Sequence, residues 1–218
     1  MFGSNYKESR ASIAPEWQMA WRNMQFKTLM LIGVASVVAI LIFCPFFFQA
    51  IEHRAGKQLT DPILQYLPPH DVSMATFIII WIFIGLTLFR SACNPQLFIT
   101  MLYSVIFVFA IRFLTLSLIP LDPPKGLIPF VDPISNLTYG HSEYITKDLF
   151  FSGHTSSMFL ACLNLQRRPE KRLALIATIV VGILVLVQHV HYTIDVLAAP
   201  FFCYFCYRLS RKITTLEL

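Results

Sequence analysis

Two short polar runs, Ser152-Gly153-His154-Thr155 and His191-Tyr192-Thr193-Ile194-Asp195, open otherwise apolar segments. Histidines and a carboxylate at membrane depth are costly without a function, so the runs point to a catalytic site. His191 and Asp195 are four residues apart, which on a helix sets them on one face. There the carboxylate can hold one imidazole nitrogen and leave the other free to attack. A histidine oriented in this way suits nucleophilic attack at phosphorus, giving a phosphohistidine. His154, entering from a different helix, is suited to protonating a departing alcohol oxygen and later taking a proton from an acceptor. Ser152 and Gly153 precede it at a helix start, where unpaired N–H groups and the helix dipole favour a phosphate. Arg112 supplies a forked cation suited to two phosphoryl oxygens, and its cost inside a span calls for a partner.

Each of these residues alone has a simpler use. A histidine at a helix start packs or faces solvent more often than it catalyses, and an arginine near the end of a span snorkels to the headgroups. The joint arrangement favours catalysis. His154, His189, His191 and Asp195 also have metal-ligand chemistry. His189 and His191 are two apart, however, a poor spacing for one helical face, and no cysteine joins them, so neither a metal nor another cofactor is expected. The five cysteines, Cys44, Cys93, Cys162, Cys203 and Cys206, fall in spans or at their ends. For the Cys203-Phe-Tyr-Cys206 pair the apolar context favours buried thiols over a redox couple.

The elements that must position these residues are membrane helices. Of 218 residues 56% are hydrophobic and 13% charged, and the mean hydropathy is +0.63, values of an integral membrane protein. Apolar runs long enough to span, about 20 residues, cover Phe26 to Ile51, Val72 to Phe89 and Leu97 to Leu121. Three more run from about Leu149 to Gln166, Leu173 to Val190 and Tyr192 to Leu209. The expectation is therefore an all-α, six-helix membrane domain over residues 26–209, with an N-terminal segment at 1–25 and a tail at 210–218. No small-residue cleavage site closes the first run, so it is expected to stay in the mature protein.

Basic residues concentrate in cytoplasmic loops. Placing the N-terminus inside puts Lys7, Arg10, Arg22, Lys27, Arg90, Arg167, Arg168, Lys171, Arg172, Arg208, Arg211 and Lys212 in the cytoplasm, 12 of the 17 basic residues. Both termini are then cytoplasmic, and His154, His191 and Arg112 meet at one extracytoplasmic level. The net charge of +5 thus reflects topology and contact with anionic lipid, with nucleic acid a poor partner.

The residues resemble the type 2 phosphatidic-acid phosphatase superfamily, and more closely its sphingomyelin synthase branch. Asp148 with Phe150-Phe151-Ser152-Gly153-His154-Thr155 looks like the second motif of that branch, and His189-Val190-His191-Tyr192-Thr193-Ile194-Asp195-Val196 like its third. Weaker matches are Pro68-Pro69-His70-Asp71 and the stretch from Arg112 to Pro120, so the likeness runs from about Asp61 to Arg208. The resemblance implies an enzyme that moves a phospho-headgroup, phosphocholine or phosphoethanolamine, from a glycerophospholipid donor to ceramide or a related lipid alcohol. By the same match His191 and Asp195 are nucleophile and orienting carboxylate, His154 is the second histidine, and Asp148 orients His154 or contacts the headgroup. A phospholipase C or lipid phosphatase would use the same residues with water as acceptor; a non-catalytic lipid-binding protein would need neither histidine.

The chain also departs from the superfamily pattern. The first phosphatase motif is absent, and Val185 stands where an arginine usually opens the third. A dianionic phosphomonoester wants several cations, whereas a phosphodiester with one negative charge is served by Arg112 alone. The loop from Asp122 to Lys147, with Asp132, His141, Glu143 and Tyr144, offers acidic and aromatic groups to a choline or ethanolamine cation. Within it Asn136-Leu137-Thr138 is a glycosylation sequon. Homo-oligomerisation is left open by the sequence.

Overall fold

The computed structural model describes residues 14–130 and 145–215, and among these the chain is all-helical with no strand. After a helical stretch at 14–22, six helices follow one another: α1 (Met24–Glu52), α2 (Ser73–Ala92), α3 (Pro95–Leu118), α4 (Gly153–Asn164), α5 (Arg168–Val187) and α6 (Thr193–Thr214). Their starts are set by local chemistry. The Asn23 side chain accepts hydrogen bonds from the amides of Gln25 and Phe26, and Asn94 accepts from Leu97 at 2.8 Å ahead of Pro95. Both are N-caps, the second reinforced by a proline where its missing N–H costs nothing.

Helices α1, α2 and α3 are long and apolar enough to cross a membrane. The three that follow differ from the expected spans in an instructive way. Helix α5 begins with Arg168, Glu170, Lys171 and Arg172, so its apolar length is shorter than its 20 residues. The expected Leu149–Gln166 span is helical only over the 12 residues of α4. That is roughly 18 Å at 1.5 Å per residue, against a hydrocarbon core of ~30 Å. The chain before it, from 145 to 152, is non-helical. Glu52 at the end of α1 fastens this approach by accepting from Thr146 N–H at 2.8 Å and Lys147 N–H at 3.0 Å.

Short α4 sits centrally, packed against α2, α3, α5 and α6, while α1 lies outside on α3. Phe151, Leu160, Ala199, Cys203 and Cys206 are buried together, with Phe151 and Phe202 stacked at 4.6 Å between centroids. Val185, at the position where the superfamily arginine was missing, is fully buried against Met158 and Val181.

Toward the end where α3 begins, helices α3 and α6 are joined by hydroxyls. Ser104 and Ser210 lie 2.9 Å apart through their oxygens, Thr100 and Thr214 3.0 Å, and Ser210 Oγ donates to the Thr100 carbonyl at 2.7 Å. All four are buried. In an apolar surrounding such groups bring helices close and hydrogen-bond across them. Ser210→Ala should therefore lower stability by about 0.5–1.5 kcal/mol, measured by thermal unfolding in detergent, while leaving any enzymatic turnover within twofold.

Candidate active site

At one end of the bundle α1, α3 and α5 finish and α2, α4 and α6 begin, and the sequence-predicted polar residues gather there. Helix α4 starts at Ser152, whose hydroxyl accepts from the Thr155 amide at 3.3 Å and whose carbonyl accepts from Ser156 Oγ at 2.6 Å. Helix α6 starts after Tyr192, whose N–H donates to Asp195 Oδ2 at 2.9 Å. The two starts are tied together, since Ser152 N–H donates to the Asp195 carbonyl at 3.1 Å. The consequence is a His154–His191 pair with ring centroids 5.9 Å apart.

His191 is 2% exposed and Asp195 fully buried. Asp195 Oδ2 lies 3.5 Å from His191 Nδ1, an ion-pair distance rather than a short hydrogen bond, and leaves Nε2 as the free nitrogen. His191 Nδ1, Asp195 Oδ1 and His154 Nδ1 are buried without a hydrogen-bond partner among the described residues. Catalytic hydrogen bonds are often long in a ligand-free site and tighten on binding. His154 is flanked by Phe130 at 4.7 Å and Phe77 at 5.9 Å, centroid to centroid.

Arg112 reaches this group from α3. At 6% exposure it does not snorkel; its guanidinium forms an ion pair with Asp148 and lies over the Phe151 ring at 5.9 Å. It also explains Gly153. A Cβ built at that position falls 1.9 Å from Arg112 Nη1 and 2.9 Å from Cζ, so only glycine lets the guanidinium settle on the start of α4. Asp148, expected on His154 or on a headgroup, pairs with Arg112 and lines the cleft beside His154. Ser152, expected at a phosphate, is fully buried with its hydroxyl engaged as the helix cap. What remains for an anion at this helix start is the pair of first-turn amides, Gly153 and His154, beside the guanidinium.

A cleft of about 400 Å3 runs from this cluster into the bundle. Arg112, Asp148, Gly153 and His154 form its polar end, and residues such as Ile80, Trp81, Val105 and Leu160 make most of the rest apolar.

The segments above the cluster are held by residues the sequence reading assigned elsewhere or passed over. Gln188 is fully buried; its Nε2 donates to Ser73 Oγ at 2.7 Å and its Oε1 accepts from Val72 N–H at 3.2 Å. The His189 ring nitrogens lie 2.7 Å and 2.8 Å from the carbonyls of Lys125 and Leu67, so this histidine of ligand chemistry is engaged with two loop backbones. His70, Asp71 and their prolines are thereby docked beside α5 and α2. Asp122 pairs with Lys147 Nζ at 2.9 Å. Asp132, His141, Glu143, Tyr144 and the sequon at Asn136 lie outside the described residues. Nothing short of the fold could have identified Gln188, since a lone glutamine at a helix end has no spacing signature.

Fold and cleft together define an all-helical, membrane-associated protein with a cleft that ends beside a pair of histidines. Residues 147–212 match the family model described as PAP2 superfamily C-terminal. The matched stretch covers under a third of the chain and contains Asp148, both histidines and Asp195. It supports a relation to the type 2 phosphatidic-acid phosphatase superfamily and an enzyme of the lipid phosphatase or phosphotransferase type. A search among curated proteins finds no match.

Asp61 is the outer anchor of α6. Its carboxylate accepts from the Thr193 amide at 2.6 Å, from Thr193 Oγ1 at 3.0 Å and from the Ile63 amide at 2.9 Å. Burial raises its pKa, but these hydrogen bonds outweigh burial and hold the carboxyl below the usual carboxylate range. The stability it contributes is fully present above pH ~4, where the unfolded carboxyl is already ionised, and is lost as pH falls through the lower folded value. On acidification from about pH 6 to about pH 3 the wild-type protein should lose more thermal stability than Asp61→Asn, measured by unfolding curves in one detergent.

Proposed function

We propose that this chain is a six-span membrane enzyme that transfers a phospho-headgroup from a glycerophospholipid to a lipid alcohol through a phosphohistidine. Its active site faces the extracytoplasmic side and both termini the cytoplasm, as the distribution of basic residues favours. The observation that carries the reading is a largely apolar cleft whose polar end is formed by Arg112, Asp148 and His154, with the His191–Asp195 pair directly behind His154. Headgroup chemistry and hydrocarbon binding then occur in one continuous space.

In this mechanism the donor phosphodiester lies against Arg112 and the amides of Gly153 and His154. Asp148 holds the guanidinium before the substrate arrives and keeps the buried cation paired. His191 Nε2 attacks phosphorus as the P–O bond to the glycerol oxygen breaks, and His154 donates the proton that makes the leaving group diacylglycerol. Asp195 stabilises the positive charge that develops on the His191 ring. His154 then takes the proton of the acceptor hydroxyl, whose oxygen attacks phosphorus while the N–P bond breaks. One cation and two amides match the single charge of a diester better than the two charges of a phosphomonoester. Val185 in place of an arginine supports the same choice, because that position is filled by packing.

The reading is tested with purified protein and a phospholipid carrying labelled headgroup phosphate, with and without ceramide or diacylglycerol. Label should enter a new lipid only when the acceptor is present. His191→Ala should abolish turnover, and His154→Ala should lower it by about 10²–10⁴-fold. Release of water-soluble phosphate or phospho-headgroup would assign the hydrolytic reaction instead, and unchanged turnover in His191→Ala would refute the mechanism.

Gly153→Ala provides a separate check on the anion site. The added methyl meets only the flexible end of Arg112, so the fold should persist while the guanidinium is pushed off the helix start. The expected result is near-wild-type thermal stability with turnover reduced by about 10²-fold or more, measured in the same labelled assay.

A further inference from the structure

The cleft continues well past the reacting groups, and its far end is built differently from its walls. One wall is a single stripe of α4, in which Gly153, Ser157, Ala161 and Asn164 recur at helical spacing. From His154 to Asn164 the axial distance is roughly 15 Å at 1.5 Å per residue, close to the hydrocarbon depth of one leaflet, half of ~30 Å. The walls between are apolar, from Ile80 and Ile84 on α2 and Val105 and Val108 on α3. Thr87, Met101 and Asn164 line the far end.

Asn164 is 1% exposed and lines the cleft. Its Nδ2 donates to the Leu160 carbonyl at 2.9 Å, while its Oδ1 is buried with no hydrogen-bond partner among the described residues. A hydrocarbon chain that reaches this end meets an amide and a hydroxyl in place of apolar wall, so methylenes that lie there gain less than those nearer the headgroup. Thr87 offers no relief, because its hydroxyl already donates to the Phe83 carbonyl at 2.7 Å.

We propose that the Asn164 end of the cleft is a polar stop that measures the acyl chain of the lipid substrate, favouring chains that span one leaflet and rejecting longer ones. The proposal rests on the lipid phosphotransferase reading of the catalytic end and specifies its substrate. Ala161, 3% exposed and one turn before the stop, sets the width of the last part of the channel.

The test uses the purified full-length chain in detergent and single-chain phospholipids of graded chain length. Binding is read as the shift in unfolding temperature, and turnover is read on the same lipids with labelled headgroup phosphate. Asn164→Ala should extend the preference to longer chains, and Ala161→Trp should move it to shorter ones. Each pair of buried methylenes gained or lost changes affinity by about tenfold. Shifts of opposite sign cannot arise from general damage to the fold, and Ala161→Leu serves if the tryptophan variant does not fold. A length profile that neither variant moves overturns the stop. Binding profiles that shift as described in a wild-type protein without turnover uphold the stop and refute the transferase reading. Turnover with an unmoved profile does the reverse.

Discussion

A single backbone hydrogen bond, from Ser152 N–H to the Asp195 carbonyl, fixes the geometry on which the rest of the site depends. It joins the first residues of α4 and α6, two helices far apart in sequence, and so sets the separation of His154 and His191. Each start is stiffened locally, α4 by the Ser152 cap and α6 by the Asp195 carboxylate on the Tyr192 amide. Asp195 therefore acts twice, terminating the helix and standing beside the His191 ring. A carboxylate used in this way belongs to the first turn, where the helix dipole also favours its charge.

Around that contact the molecule separates polar and apolar duties by position along the bundle. The end where α2, α4 and α6 begin collects the charged and titratable groups, and the loops above it are pinned by Gln188, His189 and Asp61. The cleft below is hydrocarbon-lined. Arg112 bridges the two zones: it rises from an apolar helix, is paired by Asp148, and rests on a residue with no side chain. Such a cation is tolerable in a low-dielectric setting only because its partner and its seat are both supplied by the protein.

Much of this arrangement was legible in the chain. Histidine and aspartate four residues apart, a Ser-Gly-His run and a lone arginine inside an apolar stretch gave the cluster, and hydropathy gave α1, α2 and α3 to within three residues at each end. What was not legible came from contacts between elements. Hydropathy averages over residues and does not record where helical hydrogen bonding begins, so residues 149–152 were counted into a span although α4 starts at Gly153. Ser152 was assigned to phosphate because unpaired amides at a helix start favour an anion, but its own N–H is spent on the Asp195 carbonyl and its hydroxyl on the Thr155 amide. Asp148 was placed on His154 or a headgroup because the sequence did not show that α3 delivers Arg112 to the same point. His189 was given no role beyond the chemistry of its ring, and its partners are backbone carbonyls of two loops that sequence spacing does not bring near.

The central claim is that His191 carries the phosphorus between donor and acceptor. It is tested most directly by rapid quenching into alkali of wild-type protein mixed with a phospholipid labelled in the headgroup phosphate, followed by digestion and mapping of protein-bound label. The account predicts acid-labile, base-stable label on the peptide containing His191, discharged when an acceptor lipid is added before the quench. Label on another residue, or continued turnover with none on the protein, would contradict it.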